Sequence, residues 1–276
     1  WRAHIARWRA GLHLSALSQQ KGLAVKFKIQ NLSCGYGEKC VVKGFDAALD
    51  DGEILCVLGA NGIGKTTLFK SILGFLKPLG GSVFAEHEQL LSLSDKERAK
   101  LVSYVPQAHT PPFPFKVMDV VIMGRSPHLG LFESPSKRDF AIAEATLHRL
   151  GMSAFSDKIY TDLSGGERQM VLIARALAQE AKIMMLDEPT ANLDFGNQIR
   201  VLSEINKLKA AGFIIVMTSH SPEHAFYTGS KVALLMRGKC LYGEAGEIVT
   251  SENLKAAYGV DVRVEKVIVD GREKFV

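Results

Sequence analysis

The stretch that most constrains this chain is Gly59 to Thr67, which reads GANGIGKTT. It fits the P-loop pattern of Gly, four arbitrary residues, Gly, Lys and Thr. A match at the four fixed positions arises by chance in about one chain in a hundred of this length. A glycine-rich turn with a solvated lysine is the alternative interpretation, and the rest of the chain has to decide between the two.

The residues on either side favour phosphate binding. The apolar run from Glu53 to Leu58 predicts a buried strand, and a helix is predicted to continue through Leu68 to Leu73. A strand, a glycine-rich turn and a helix bring the backbone N–H groups of residues 61–66 towards phosphate oxygens. Gly62 and Gly64 allow a close backbone approach because they have no Cβ.

Two side chains of the stretch predict nucleotide chemistry. Lys65 can reach the β- and γ-phosphates, and the Thr66 hydroxyl can ligate Mg²⁺. The predicted nucleotide-binding residues of the stretch are Gly59, Ala60, Asn61, Gly62, Ile63, Gly64, Lys65, Thr66 and Thr67.

The formal charge of +5 does not predict a nucleic-acid surface. Six of the 34 basic side chains lie in residues 1–28, which hold no acidic one, so the rest of the chain has 28 basic and 29 acidic side chains. No apolar run approaches the length needed to cross a bilayer. Residues 1–24 are expected to be a disordered or non-native extension, and residues 25–276 to form one folded domain.

The pattern along that domain predicts an α/β fold. Strands alternate with helical runs, and a helical insert of about residues 108–166 interrupts the predicted sheet. The proline-rich segment Ala108 to Phe115 is predicted to be a loop with Gln107 at its root. For Gln107 alone, the alternative is a buried side chain that bonds ordinary backbone groups. The predicted strands are 25–32, 41–49, 53–58, 82–85, 101–105, 183–186, 213–218, 231–236, 239–242 and 262–269.

A second glycine-rich stretch begins at Leu163 and reads LSGGE, followed by an amphipathic run. Ser164 and Glu167 have the spacing of a capping box, which is the structural interpretation. That interpretation leaves Gly165 and Gly166 unexplained, because glycine costs helix stability but exposes N–H groups. We therefore predict a second anion site, for a γ-phosphate presented by another subunit.

Two carboxylates, Asp187 and Glu188, end the apolar strand Ile183 to Leu186. Ligands bind at the carboxyl ends of strands in open α/β sheets. Asp187 is predicted to hold Mg²⁺, and Glu188 to orient or deprotonate a water molecule. The ANLD sequence that follows ends at Asp194, which is predicted to cap the next helix.

The strand Phe213 to Thr218 ends at His220. A lone histidine after a strand is usually a loop residue. This one is predicted at the same sheet edge as the two carboxylates, which favours a contact with the γ-phosphate.

In this order, the P-loop, Gln107, LSGGE, IMMLDE, ANLD and His220 resemble the ATP-binding cassette ATPases, from Val25 onward. The resemblance implies a P-loop NTPase core with a mostly parallel sheet, an N-terminal antiparallel β subdomain and an inserted helical subdomain. It also implies ATP and Mg²⁺ as cofactors and a head-to-tail homodimer on ATP.

The resemblance also assigns roles. Each ATP would lie between one subunit's P-loop and the other's Ser164, Gly165, Gly166 and Glu167. Tyr36 would stack on adenine, Gln107 would sense Mg²⁺ and water, and residues 191–194, including Asp194, would cross the interface. The implied catalytic residues are Glu188, His220, Gln107 and Lys65, and the implied Mg²⁺ ligands are Thr66, Gln107 and Asp187.

Finer features resemble importers of iron-siderophore, haem and cobalamin complexes and of molybdate. They are MGRSPH at 123–128, the PSKRD that follows, and TSENLKAAYGVDV at 250–262. Ser221 departs from the Asp common in that group. The implied partners are two membrane-spanning permease subunits and, indirectly, a substrate-binding protein, with no nucleic acid. The implied location is the cytoplasmic face of the inner membrane. An exporter ATPase and a soluble cassette ATPase are the alternatives.

Overall fold

The computed structural model describes residues 27–107, 114–269 and 272–275. Its strands are β1 (Phe27–Tyr36), β2 (Lys39–Leu49), β3 (Ile54–Leu58), β4 (Gly80–Ala85), β5 (Glu88–Gln89), β6 (Val102–Val105), β7 (Ile183–Leu186), β8 (Ile214–Thr218), β9 (Lys231–Met236), β10 (Lys239–Glu244), β11 (Lys266–Val269) and β12 (Arg272–Phe275). The α-helices are α1 (Lys65–Ile72), α2 (Asp95–Leu101), α3 (Val117–Ile122), α4 (Lys137–Arg149), α5 (Gly165–Ala178), α6 (Phe195–Ala210), α7 (Glu223–Thr228), α8 (Ala245–Ile248) and α9 (Ser251–Tyr258).

The larger sheet has six strands in the order β10-β9-β3-β8-β7-β6. All neighbouring pairs are parallel except β10 with β9. Every residue of β3, β7 and β8 is buried, as expected for parallel strands covered on both faces. The carboxyl ends of these three adjacent strands therefore meet at one edge of the sheet.

A second sheet, in the order β2-β1-β4-β5, is antiparallel throughout. Its apolar side chains, including Phe27, Ile29 and Phe45, share a core with α1 and one face of the larger sheet. The other face of that sheet packs against helices that include α3, α4 and α5. The fold class predicted from the sequence is confirmed.

The segment between β6 and β7 is helical in its described part. A buried ion pair holds it together, because Arg125 Nε donates to Asp139 Oδ1 at 2.9 Å. The Arg125 Nη1 atom also donates to the Ala178 carbonyl and to Glu180 Oε2, both at 2.7 Å. These bonds join α4 to the end of α5. Residues 108–113 of the predicted proline-rich loop lie outside the described residues.

The predicted strand at 262–269 is wrong in its first half. Residues 262–265 are not in a strand, and β11 pairs with β12 in an antiparallel hairpin. The Val264 N–H instead donates to Ser251 Oγ at 2.8 Å. Alternation of side chains predicts which residues could form a strand but not whether another strand lies beside them.

The helix after the P-loop begins at Lys65 and continues through the predicted run from Leu68, with Leu73 as its C-cap. Residues 1–26, which contain the predicted extension and Val25, lie outside the described part. None of the described helices has the length and apolar character needed to span a bilayer.

Candidate active site

The P-loop lies between β3 and α1, and its backbone requires glycine at three positions. Gly59, Gly62 and Gly64 have φ angles of 148°, 76° and 122°. A Cβ on Gly64 would lie 2.5 Å from Val41 Cγ1. A Cβ on Gly62 would meet no atom within 4 Å, so space does not require glycine at this position. Its positive φ angle does, because other residues rarely adopt it.

The amino end of α1 is available for an anion. The residue before the helix is Gly64, which has no side chain to cap the N–H groups of the first turn, and that turn contains no acidic residue. The N–H groups at a helix start and the helix dipole favour a negative charge. Thr66 is exposed in this turn, whereas Thr67 is buried.

The Lys65 side chain is buried and lies against the loop that precedes it. Its Nζ donates to the carbonyls of Gly59 at 2.7 Å and Ala60 at 3.3 Å. It also lies 3.8 Å from Glu188 Oε1. Burial lowers the pKa of Lys65, while the carboxylates of Glu188 and Asp187 oppose that shift. The loop thus holds a poorly solvated cation where phosphate oxygens could replace the carbonyls.

Asp187 is fixed by bonds to the neighbouring strands. Its N–H donates to the Val105 carbonyl at 2.9 Å, and its Oδ1 accepts from Thr218 Oγ1 at 2.7 Å. Tyr104 Oη donates more weakly to its Oδ2 at 3.5 Å. Burial and the nearby Asp187 carboxylate raise the pKa of Tyr104 to about 12. The sequence analysis missed Thr218 and Tyr104, although a polar residue at the end of an apolar strand was a usable signal.

Glu188 has an unusual backbone conformation. Its φ is 46°, in the left-handed region that non-glycine residues rarely adopt. Its N–H donates to Thr218 Oγ1 at 2.8 Å, so Thr218 contacts both acidic residues. Strain of this kind costs on the order of 1 kcal/mol or more and concentrates at functional sites.

Gln107 and His220 are exposed and follow β6 and β8. Both therefore lie at the sheet edge that carries the carboxylates. Tyr36, at the end of β1, is 54% exposed. The Gly59 N–H, at the opposite end of the P-loop from Lys65, donates to Tyr258 Oη at 3.1 Å. The sequence analysis quoted Tyr258 in the tail motif but gave it no role.

Ser164 to Glu167 form a separate region at the start of α5. The capping box is present, because Ser164 Oγ accepts from the Glu167 N–H at 3.4 Å and the Ser164 N–H donates to Glu167 Oε2 at 2.7 Å. Within the described residues, neither side chain hydrogen-bonds to the P-loop. The Ser164 hydroxyl and the Ser164 N–H both donate to Glu167 Oε2 at 2.7 Å, and they lower the pKa of that carboxyl.

The two glycines of this region have a packing role that the sequence analysis did not foresee. A Cβ on Gly166 would lie 2.5 Å from the Asn197 side chain, and one on Gly165 would lie 3.2 Å from Leu193 Cδ2. Asp194 caps α6 as predicted, accepting from the Asn197 N–H at 2.9 Å. The start of α5 therefore packs against the start of α6 and the residues before it.

The donor set at the sheet edge fits Mg²⁺. In the described part, no group of three or more His, Cys, Asp or Glu residues could hold a metal ion. Mg²⁺ takes oxygen ligands, keeps several water molecules and is commonly bound by one or two carboxylates beside phosphates. The Thr66 hydroxyl, the Asp187 carboxylate and the Gln107 amide oxygen are donors of that kind.

Comparison with known proteins identifies the family. The sequence profile of the ABC transporter family matches residues 42–191. A Haemophilus influenzae relative, an uncharacterized ABC transporter ATP-binding protein, is 42% identical over 230 residues, which are 83% of this chain and 88% of the relative. The chain belongs to the ABC transporter family as an ATP-binding subunit, and such subunits are ATPases that work with membrane permease partners.

Other relatives have names that include a cargo. The molybdate import ATP-binding protein MolC of Haemophilus influenzae is 37% identical over 232 residues, which are 83% of this chain and 87% of that protein. Relatives from Helicobacter pylori and Bacillus subtilis are named for iron chelatin transport and iron(3+)-hydroxamate import. A solved structure of a metal-chelate type ABC transporter in an inward-facing conformation has a TM-score of 0.81 and 33% identity, and the match covers 91% of this chain and 97% of that one.

Proposed function

We propose that this chain is the ATP-hydrolysing subunit of an importer for a metal complex or a related oxyanion, such as an iron-siderophore, haem, cobalamin or molybdate. The observation that carries the ATPase part is the position of Lys65, at the start of α1, beside the carboxylates that follow β7, with Lys65 Nζ 3.8 Å from Glu188 Oε1. The cargo class rests on the relatives' names and on the MGRSPH and AAYGVDV stretches. The cargo itself contacts the permease and the binding protein.

In the proposed mechanism, Lys65 exchanges its carbonyl partners for β- and γ-phosphate oxygens. That movement releases Glu188, which then orients the attacking water and accepts its proton. His220 contacts the γ-phosphate, and Tyr36 stacks on adenine. Thr66, Asp187 and Gln107 would hold Mg²⁺, which supplies charge neutralisation at the β- and γ-phosphate oxygens when it is bound.

The second half of the site comes from a second copy of this chain. Ser164, Gly165, Gly166 and Glu167 of one subunit face the γ-phosphate on the other, and residues 191–194 cross the interface. Hydrolysis removes the phosphate that joins the subunits, so they separate and move two permease subunits. The assembly lies at the cytoplasmic face of the inner membrane.

The first test is the oligomeric state of the Glu188→Gln variant by light scattering, with and without Mg²⁺ and ATP. We expect a monomer without ATP and a dimer with ATP, because the amide permits binding and blocks hydrolysis. Adding Ser164→Arg should abolish the dimer. A monomer at saturating ATP would contradict dimerisation by the chain alone.

Two measurements separate an importer ATPase from an exporter ATPase and from a soluble cassette ATPase: the identity of the co-purifying proteins, and the effect of nucleic acid on ATPase activity. An importer ATPase should co-purify with a permease whose complex also binds an external binding protein. A complex without such a protein would favour an exporter. ATPase activity that rises with added nucleic acid would favour a soluble cassette ATPase.

A further inference from the structure

The loop that carries His220 is closed by a buried cluster that the proposed mechanism does not use. The cluster consists of Ser219 and His224, which are 3% and 5% exposed, together with the backbone of Ser221. Ser219 Oγ lies 2.9 Å from His224 Nδ1 and accepts from the Ser221 N–H at 3.0 Å. His220 lies between the two serines of this cluster.

One short hydrogen bond joins the two buried side chains of the cluster. The Ser219 hydroxyl has one proton, and Oγ already accepts from Ser221. That proton can go to His224 Nδ1 at 2.9 Å or to the Ser221 carbonyl at 3.4 Å, and the shorter contact is the better hydrogen bond. A neutral ring with its proton on Nε2 accepts this bond, and one with its proton on Nδ1 donates to Oγ instead, so the two side chains are joined in either tautomer. Burial lowers the pKa of His224, which favours that neutral ring despite the nearby Glu223.

These bonds fix the backbone on both sides of His220. On one side, the Ser219 N–H donates to the Val57 carbonyl of β3 at 3.0 Å. On the other side, the Ser221 N–H donates to Ser219 Oγ, whose direction is set by His224. His220 itself is exposed, so its reach depends on this backbone rather than on packing of its ring.

We propose that His224 is a positioning residue for ATP hydrolysis, which acts through the Ser219 hydroxyl to hold the loop that presents His220 to the γ-phosphate. This proposal rests on the role given to His220 in the proposed function. It also explains how a chain with Ser221 can hold this loop, since Ser221 enters the cluster through its backbone N–H and carbonyl.

The test is steady-state ATPase kinetics of the full chain with His224→Leu and His224→Asn. Leucine fills the space but accepts no hydrogen bond, and we expect kcat to fall between about 5- and 50-fold with KM for ATP within about 2-fold. Asparagine can place Oδ1 near the position of Nδ1, and should keep kcat within about 3-fold of the parent.

Thr228→Val is the matched control. Thr228 is equally buried in α7, and its hydroxyl contacts only the carbonyls of His224 and Ala225. This variant should lower the denaturation midpoint but leave kcat unchanged. If His224→Leu lowers kcat no more than Thr228→Val, or if His224→Asn is as slow as His224→Leu, the positioning role is wrong.

Ser219→Ala gives an independent measurement if His224→Leu does not fold. It should lower kcat to a similar extent, and the double variant should be no slower than the slower single variant, because both changes break the same connection. Multiplied effects would overturn the proposal. A His220→Ala variant with normal kcat would also overturn it, and would locate the failure in the proposed role of His220.

Discussion

The two sequences proposed to bind phosphate are built in opposite ways. Around the P-loop, Lys65 and Asp187 are buried, and hydrogen bonds such as Thr218 to Asp187 connect strands that are far apart in the sequence. Around Ser164, the side chain is exposed, and its hydrogen bonds go to Glu167, three residues away.

This difference separates groups that contacts within one chain hold in place from groups that one chain leaves exposed. The P-loop side has its charges placed by tertiary structure before any ligand arrives, so it is preorganised. On the Ser164 side, the hydrogen bonds of Ser164 go to Glu167 in the first turn of α5, and Ser164, the residue before that helix, is exposed. Substitutions on the two sides should therefore differ in their effects on ATP hydrolysis, ATP affinity and stability.

The largest effect should come from Lys65→Met. We expect ATP hydrolysis to fall by about 100-fold or more, since the variant lacks the buried cation proposed to face the phosphates. Activity and nucleotide affinity can be measured by phosphate release and by titration with a fluorescent nucleotide. Lys70→Met, at an exposed position of the same helix, is the control and should leave both unchanged. Hydrolysis above a tenth of normal in Lys65→Met would show that the P-loop side tolerates loss of its charge.

Gly166→Ala should destabilise the chain by about 1–3 kcal/mol, because its Cβ would lie 2.5 Å from Asn197. The measurement is unfolding by denaturant. Adding Asn197→Gly removes the clash, which also involves Asn197 Cβ at 2.9 Å, and should restore most of the stability. If the double variant is stable but hydrolyses ATP poorly, Gly166 also serves the ligand. If activity returns with stability, the glycine serves packing alone, and the second anion site loses this support.

Ser164→Ala should lower kcat by about 10-fold and leave ATP affinity of the isolated chain within about 2-fold. It should also cost about 1 kcal/mol of stability through the lost cap. Ser94→Ala is the matched control, because Ser94 and Glu97 form the same capping box on an exposed helix. Equal losses of kcat in the two variants would mean that Ser164 is only a helix cap.

The smallest effect should come from Tyr258→Phe. It removes the acceptor for the Gly59 N–H and keeps the ring, so we expect KM for ATP to rise about 3- to 5-fold with kcat unchanged. Steady-state kinetics measure both values. Tyr227→Phe, on an exposed tyrosine, should change neither. A fall in kcat alone would mean that the bond matters for chemistry rather than for loop position.

The features predictable from the sequence were those encoded over a few residues. Ser164 and Asp194 cap their helices as predicted, each with a partner three residues later, and the strand 183–186 was predicted with its observed bounds. The contacts of Thr218 with Asp187 and of Tyr258 with Gly59 were not predictable. They depend on which strands and helices become neighbours, and a single sequence carries no local pattern for that choice.

The bond between Gly59 and Tyr258 spans 199 residues of sequence. The strand before the loop, β3, also pairs with strands that are synthesised much later, since Ile54 pairs with Ile215 of β8 and Leu55 with Lys231 of β9. At ordinary rates of synthesis, those 199 residues take about 10 to 40 s to emerge from the ribosome. The loop is therefore synthesised well before the residue that holds its first N–H, and this hydrogen bond can form only after Tyr258 has emerged.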